Sequence, residues 1–126
     1  MKIKRFENYT AAPTKTGSQV DNLTDFFIKT MFDVAKNSVA RRLQVGAVVI
    51  KNNNIVGIGF NHTPFNQDQN CQIEQPDGSL KSKPWIHFAD SDKEGVIHAE
   101  TDALRRMYES GVSPVGCTMY VTHSCC

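Results

Sequence analysis

Apolar residues first fall into a helical rhythm at Leu23, Phe27, Met31, Val34 and Ala35, the spacing that lines one face of a helix. It predicts an amphipathic helix running from a cap at Asp21 or Asn22 to about residues 37–40, with its apolar face given to the core. The rhythm then becomes an unbroken run, Val45-Gly46-Ala47-Val48-Val49-Ile50, apolar toward both sides as in a central strand covered on both faces. Asn52-Asn53-Asn54 supplies a turn, since Asn tolerates the left-handed conformation, and residues 55–60 return as the second strand of a hairpin. Gly57 and Gly59 in that strand allow close backbone approach. A polar stretch over 61–95 is long enough to be a functional or mobile loop. A second helix is expected over about 97–110, with Ala99, Ala103, Leu104 and Met107 inward and Gly111 and Pro114 as its stop. Residues 117–122 form a third strand. Residues 1–20 show neither period, carry Pro13 and Gly17, and read as a flexible or draped arm ahead of one domain over 21–126.

The order helix, strand, strand, loop, helix, strand defines an α/β layered domain with side chains for chemistry at strand ends and helix starts. The chain has 126 residues, enough for a single domain with a modest core. Lys and Arg number 14 against 13 Asp and Glu, for a formal net charge of +1. That balance gives no long nucleic-acid track and no affinity for an anionic membrane surface, so the expected substrate is small. No apolar stretch has the length of a membrane span. The basic start Met1-Lys2-Ile3-Lys4-Arg5 runs into polar residues rather than the apolar segment of a signal peptide. A cytoplasmic protein is expected, in which cysteines are free, metal-bound or reactive rather than paired. Cys71 and Cys117 read as ordinary residues.

The pair His98 and Glu100, at the start of the second helix, has the chemistry of a zinc hydrolase. Such a centre needs His or Cys ligands, one open position for water, and a nearby carboxylate that moves protons without binding the metal. His98 suits the first role and Glu100 the second. The strand residues Met119-Tyr120-Val121-Thr122-His123-Ser124 lead on to Cys125 and Cys126, so a second group of soft ligands arrives at a strand end.

Four pieces, in this order, resemble the cytidine deaminase superfold and, within it, the deoxycytidylate (dCMP) deaminase family of phage or competence-operon type. They are Ala40-Arg41-Arg42-Leu43-Gln44-Val45-Gly46-Ala47-Val48-Val49-Ile50; Gly57-Ile58-Gly59-Phe60-Asn61; Val96-Ile97-His98-Ala99-Glu100; and the strand from Met119 leading to Cys126. The first ligand is His, not the Cys of free-nucleoside deaminases. The gap from Asn61 to His98 is longer than in the tRNA or riboflavin-pathway branches. The resemblance implies a three-layer α/β/α domain around a mixed sheet and zinc-dependent hydrolysis of dCMP to dUMP. It makes His98 and Cys126 ligands of Zn2+ and Glu100 the general acid and base. Asn61, Ala99 and Ser124 become substrate-binding positions, with Asn61 on the sugar and the Ser124 carbonyl on the amine. A homo-oligomer and dCTP and dTTP as effectors are also implied. Arg41 and Arg42 read as solvated charges at a helix end or as phosphate contacts.

The pattern is departed from at several positions. The zinc deaminase signature runs H-x-E and then P-C-x-x-C. Here Cys125 takes the Pro position and the motif stops at Cys126, so the expectation is a chain truncated within the second zinc motif, with C-terminal strands and helices missing. His62 stands where Gly is common and Asp102 where Asn is frequent. A second, structural zinc would have only Cys71, His62 and His87 to draw on. Three other readings stay open: a catalytically silent remnant or regulatory subunit, a deaminase of another cytosine or adenine nucleotide, and a structural zinc module.

Overall fold

The computed structural model describes residues 1–6, 19–38, 40, 43–64, 71–86 and 95–122. Its elements in chain order are β1 (Lys2–Phe6), α1 (Gln19–Ala35), β2 (Gly46–Lys51), β3 (Asn54–Phe60), β4 (Gln72–Glu74), β5 (Leu80–Ser82), α2 (Ala99–Glu109) and β6 (Thr118–Thr122). Four strands form one sheet in the order β1-β6-β2-β3, and β4 and β5 pair as a separate hairpin. The larger sheet is mixed, with β1 parallel to β6 and the other neighbours antiparallel.

β2 is apolar toward both sides because a helix covers each face. Ala47 and Val49 point into a cluster with Ala99, Ala103 and Met107 of α2 and with Met119 and Val121 of β6. Val48 and Ile50 point the other way, against Phe27, Met31 and Val34 of α1 and Tyr120 of β6. The result is the expected helix, sheet, helix layering. The β2–β3 turn has φ of 50° at Asn52 and 61° at Asn53, the left-handed pair that a two-residue hairpin turn needs and that Asn adopts more cheaply than most residues.

Two glycines set the layer spacing. A Cβ on Gly46 would land on the backbone of Met31 and Ala35 in α1, and one on Gly59 would land on the backbone of Ala99 and Ala103 in α2. Each helix therefore rests directly on a strand, with no side chain between.

The structure departs from the sequence reading in two places. Residues 2–6, expected within a flexible arm, form β1, paired from Lys2↔Thr118 to Phe6↔Thr122. Phe6 is held there by Tyr120, with ring centroids 5.4 Å apart. The strand is short and basic, a composition that suits an exposed edge, and its pairing partner is at the far end of the sequence. The long polar stretch also contains the β4–β5 hairpin, whose turn has Gly78 at φ 85°. Among the described residues no helix is long and apolar enough to cross a membrane.

Candidate active site

The approach to His98 is clamped on both sides. His62, just beyond β3, and Ile97 exchange backbone hydrogen bonds, His62 N–H to Ile97 O at 3.3 Å and Ile97 N–H to His62 O at 2.7 Å. Val96 N–H donates to Pro84 O at 2.8 Å and Ile86 N–H to Val96 O at 2.9 Å. His98 then takes an extended conformation, φ −64° and ψ 148°, as the N-cap of α2, and its own side chain makes no capping hydrogen bond. Its carbonyl accepts the Asp102 N–H at 2.9 Å. Ala99 is buried against Gly59, and its N–H is among those that helix geometry leaves without an internal acceptor. The positive end of the helix dipole thus lies where Glu100 and an anionic oxygen would be.

His98 Nδ1 is buried and has no hydrogen-bond partner among the described residues. A protein seldom strands a ring nitrogen in this way unless something beyond those residues uses its lone pair. Burial pushes the His98 imidazole below its usual pKa, against a smaller upward pull from the Glu100 charge. The neutral form so favoured is the one that ligates metal. The orphaned nitrogen therefore fits a metal. The indole of Trp85 lies on the imidazole face, with centroids 3.8 Å apart and 15° between planes.

Glu100 is largely buried, and Arg5 Nη1 of β1 lies 3.6 Å from its Oε2. Because Arg5 pairs with Val121, the C-terminal end of β6 stands beside Glu100. Cys125, Cys126 and Ser124 lie outside the described residues, as do Arg41, Arg42 and His87. Among the described residues no three His, Cys, Asp or Glu side chains gather to hold a metal ion.

Asn61 is buried at the end of β3. Its Oδ1 accepts the Val45 N–H at 2.9 Å and its Nδ2 donates to Leu43 O at 2.8 Å. The Asn61 carbonyl accepts the Ser38 hydroxyl at 2.7 Å. The side chain pins the 43–45 segment beneath the site. Among the described residues one N–H and one lone pair of its amide have no further partner.

His62 is spent elsewhere. Its Nδ1 faces Thr63 O at 2.5 Å and its Nε2 faces Asp102 Oδ1 at 2.8 Å. Both nitrogens face oxygens of the protein, so neither is turned toward a second zinc. Trp85, Arg5 and Asp102 all touch the site or its support, and no motif in the sequence marks them as site residues. The one available signal is at Trp85, the chain's single tryptophan, in an otherwise polar stretch.

Comparison with known proteins supplies the class. The chain belongs to the family of the cytidine and deoxycytidylate deaminase zinc-binding region, whose sequence model matches residues 22–126. Among individual relatives, the deoxycytidylate deaminase of Enterobacteria phage T4 is 28% identical over 120 residues, which cover 74% of this chain and 62% of that protein. The chain thus spans less than two thirds of that relative's length. The dCMP deaminase of cyanophage S-TIM5, solved in complex with dCMP and dUMP, matches with a TM-score of 0.66 and 33% identity over 83% of this chain and 68% of that one. Its apo form matches with a TM-score of 0.62 and 29% identity over the same shares.

Proposed function

We propose that this chain forms the catalytic zinc site of a cytoplasmic deoxycytidylate deaminase, which converts dCMP and water to dUMP and ammonia. The observation that carries the reading is the buried Nδ1 of His98, without a partner among the described residues and two residues from Glu100 at the open end of α2. Two relatives with the same activity in their names support the choice of substrate. His98 would hold zinc through Nδ1, joined by Cys126. When bound, zinc supplies the Lewis acidity that makes water nucleophilic near neutral pH.

The chain's own groups do the rest. Glu100 takes one proton from the attacking water and passes it to N3 of the cytosine as the C4–O bond forms, then takes the second from the C4 hydroxyl and gives it to the amine as the C4–N bond breaks. The first-turn N–H groups of α2, Ala99 among them, favour negative charge beside Glu100. Asn61 would meet the sugar with its remaining donor and acceptor, and the Ser124 carbonyl would accept from the amine. Assembly as a homo-oligomer and control by dCTP and dTTP belong to the same proposal.

The test is kcat/KM for ammonia release from dCMP and from deoxycytidine by the zinc-loaded protein. A strong preference for dCMP is expected. Equal values, or preference for the nucleoside, would overturn the choice of branch, and zinc-loaded protein inert on both would overturn the activity.

A further inference from the structure

A histidine ring turns about a broad torsion, so a histidine that is to hold metal needs something to fix its plane. The usual device is a hydrogen bond from the second ring nitrogen to a carbonyl or carboxylate. Among the described residues the His98 ring makes no hydrogen bond. What it has instead is Trp85, nearly parallel to it at 3.8 Å. We propose that Trp85 is a positioning residue for the metal ligand His98: its indole fixes the imidazole plane so that Nδ1 stays turned to the metal and not to a protein acceptor. This rests on the reading of His98 as a zinc ligand.

The seat of the indole is built from backbone. Pro84 O and Ile86 N–H both bond to Val96, which makes a parallel bridge between Trp85 and Val96. Gly95 lets the strands meet, since a Cβ there would land on Pro84 O and the Ile86 side chain. Residue 85 is thereby held beside 96, two positions before His98. Trp85 remains 41% exposed, so the aromatic body is not sunk in the core. Among the described residues its ring contact is with the imidazole, and a large ring left half in water and stacked on a histidine has a role at that histidine to explain it.

Zinc affinity of the full chain by chelator competition tests this, for wild type, Trp85→Phe, Trp85→Ala and His98→Ala, beside Trp85 emission during a Co2+ titration. His98→Ala is expected to lose metal binding. Trp85→Ala is expected to weaken it about ten- to a hundredfold, the scale of other supports around metal ligands. Trp85→Phe keeps a stacking ring and is expected close to wild type. Emission should fall as Co2+ binds, since the tryptophan lies on the ligand. Wild-type affinity in Trp85→Ala, with binding lost in His98→Ala, overturns the positioning role and leaves the zinc site standing. Wild-type affinity in His98→Ala, or none in the wild type, overturns the zinc reading and the proposal with it. Should Trp85→Ala fail to fold by circular dichroism, the other two readouts decide: weakened zinc binding in Trp85→Phe or emission unmoved by Co2+ overturns the proposal.

Discussion

His62 Nε2 lies 2.8 Å from Asp102 Oδ1, and this contact ties the end of β3 to the first turn of α2. Asp102 is fully buried. Its carboxylate also accepts from Arg105 Nη2 at 2.8 Å, Arg106 Nε at 3.0 Å and the Phe60 N–H at 3.2 Å. A histidine placed beyond β3 thus meets a carboxylate on the first turn of α2. The cluster holds α2 in register beneath His98 and Glu100.

Asp102→Ala should therefore destabilise the protein by about 3–5 kcal/mol, the scale for removing one partner of a buried ion pair, because His62 Nε2, Arg105 Nη2 and Arg106 Nε lose the acceptor they share. Urea unfolding measures it. Asp102→Asn should fall between, since an amide keeps one acceptor oxygen but turns a donor toward other donors. A loss below about 1 kcal/mol in the alanine variant, the range of a surface ion pair, would deny the cluster its anchoring role.

The same carboxylate sets an acid limit. Burial alone would raise Asp102, but hydrogen bonds from His62 and Arg105 and the charges of His62 and Arg106 outweigh it and bring the pKa from 3.8 down to about 2. A carboxylate that ionises more readily in the folded state stabilises that state above its unfolded pKa, a difference worth about 2 kcal/mol. The contribution is present above about pH 3.8 and lost as pH falls through about 2. Unfolding free energies between pH 5 and 2 should drop more steeply for wild type than for Asp102→Asn. Parallel curves would remove Asp102 as the titrating group.

How far the fold was legible follows from the range of its contacts. The two-sided run of β2, the Asn52–Asn53 turn and the periodic faces of α1 and α2 are local patterns, and each element lies within a few residues of its expected place. α1 begins at Gln19, so Asp21 and Asn22 lie inside it, not at its cap. β1 was not legible, because a five-residue basic segment acquires strand structure only from β6, at the other end of the chain. The hairpin of β4 and β5 was hidden by length, three residues a side. At the site, His98 and Glu100 announce their chemistry by type and spacing. The Trp85 stack, the Arg5 contact and the meeting of Asp102 with His62 are tertiary contacts that no spacing encodes.

Asn61 illustrates a residue with two duties. Asn61→Ala leaves the Val45 N–H and the Leu43 carbonyl without their partners, at about 1–3 kcal/mol for each group that stays dry. The variant should be clearly less stable. If the residue also meets the sugar, kcat/KM for dCMP should fall at least tenfold at temperatures where the variant is fully folded. Reduced stability with unchanged kcat/KM would leave Asn61 a structural residue alone.

Glu100→Gln should separate proton transfer from metal binding. The amide is nearly isosteric but cannot accept and return a proton, so kcat is expected to fall about 10²–10⁴-fold. Zinc content should be unchanged. Stability should shift by less than about 1 kcal/mol from the loss of the ion pair with Arg5, which is partly exposed. Zinc absent along with activity would instead make Glu100 a metal ligand.

Gly59→Ala and Gly46→Ala form a matched pair that asks whether the site depends on the seating of α2 in particular. Each new methyl would strike helix backbone, Ala99 and Ala103 of α2 in the first case and Met31 and Ala35 of α1 in the second. Backbone cannot swing aside as a side chain can, so each helix must lift, at about 1–3 kcal/mol as for other overpacked positions. The consequences for chemistry differ. Ala99 sits between His98 and Glu100, so lifting α2 at Gly59 displaces both groups, and a shift of about 1 Å can cost a hundredfold in rate. α1 contributes no residue to the site, and lifting it at Gly46 leaves α2 on β3. Gly59→Ala should thus lose zinc affinity and kcat/KM well beyond Gly46→Ala at matched stability, as read by chelator competition and ammonia release on samples whose unfolding curves overlap. Equal losses in the two variants would show that the site responds to global stability and not to the packing of β3 against the start of α2.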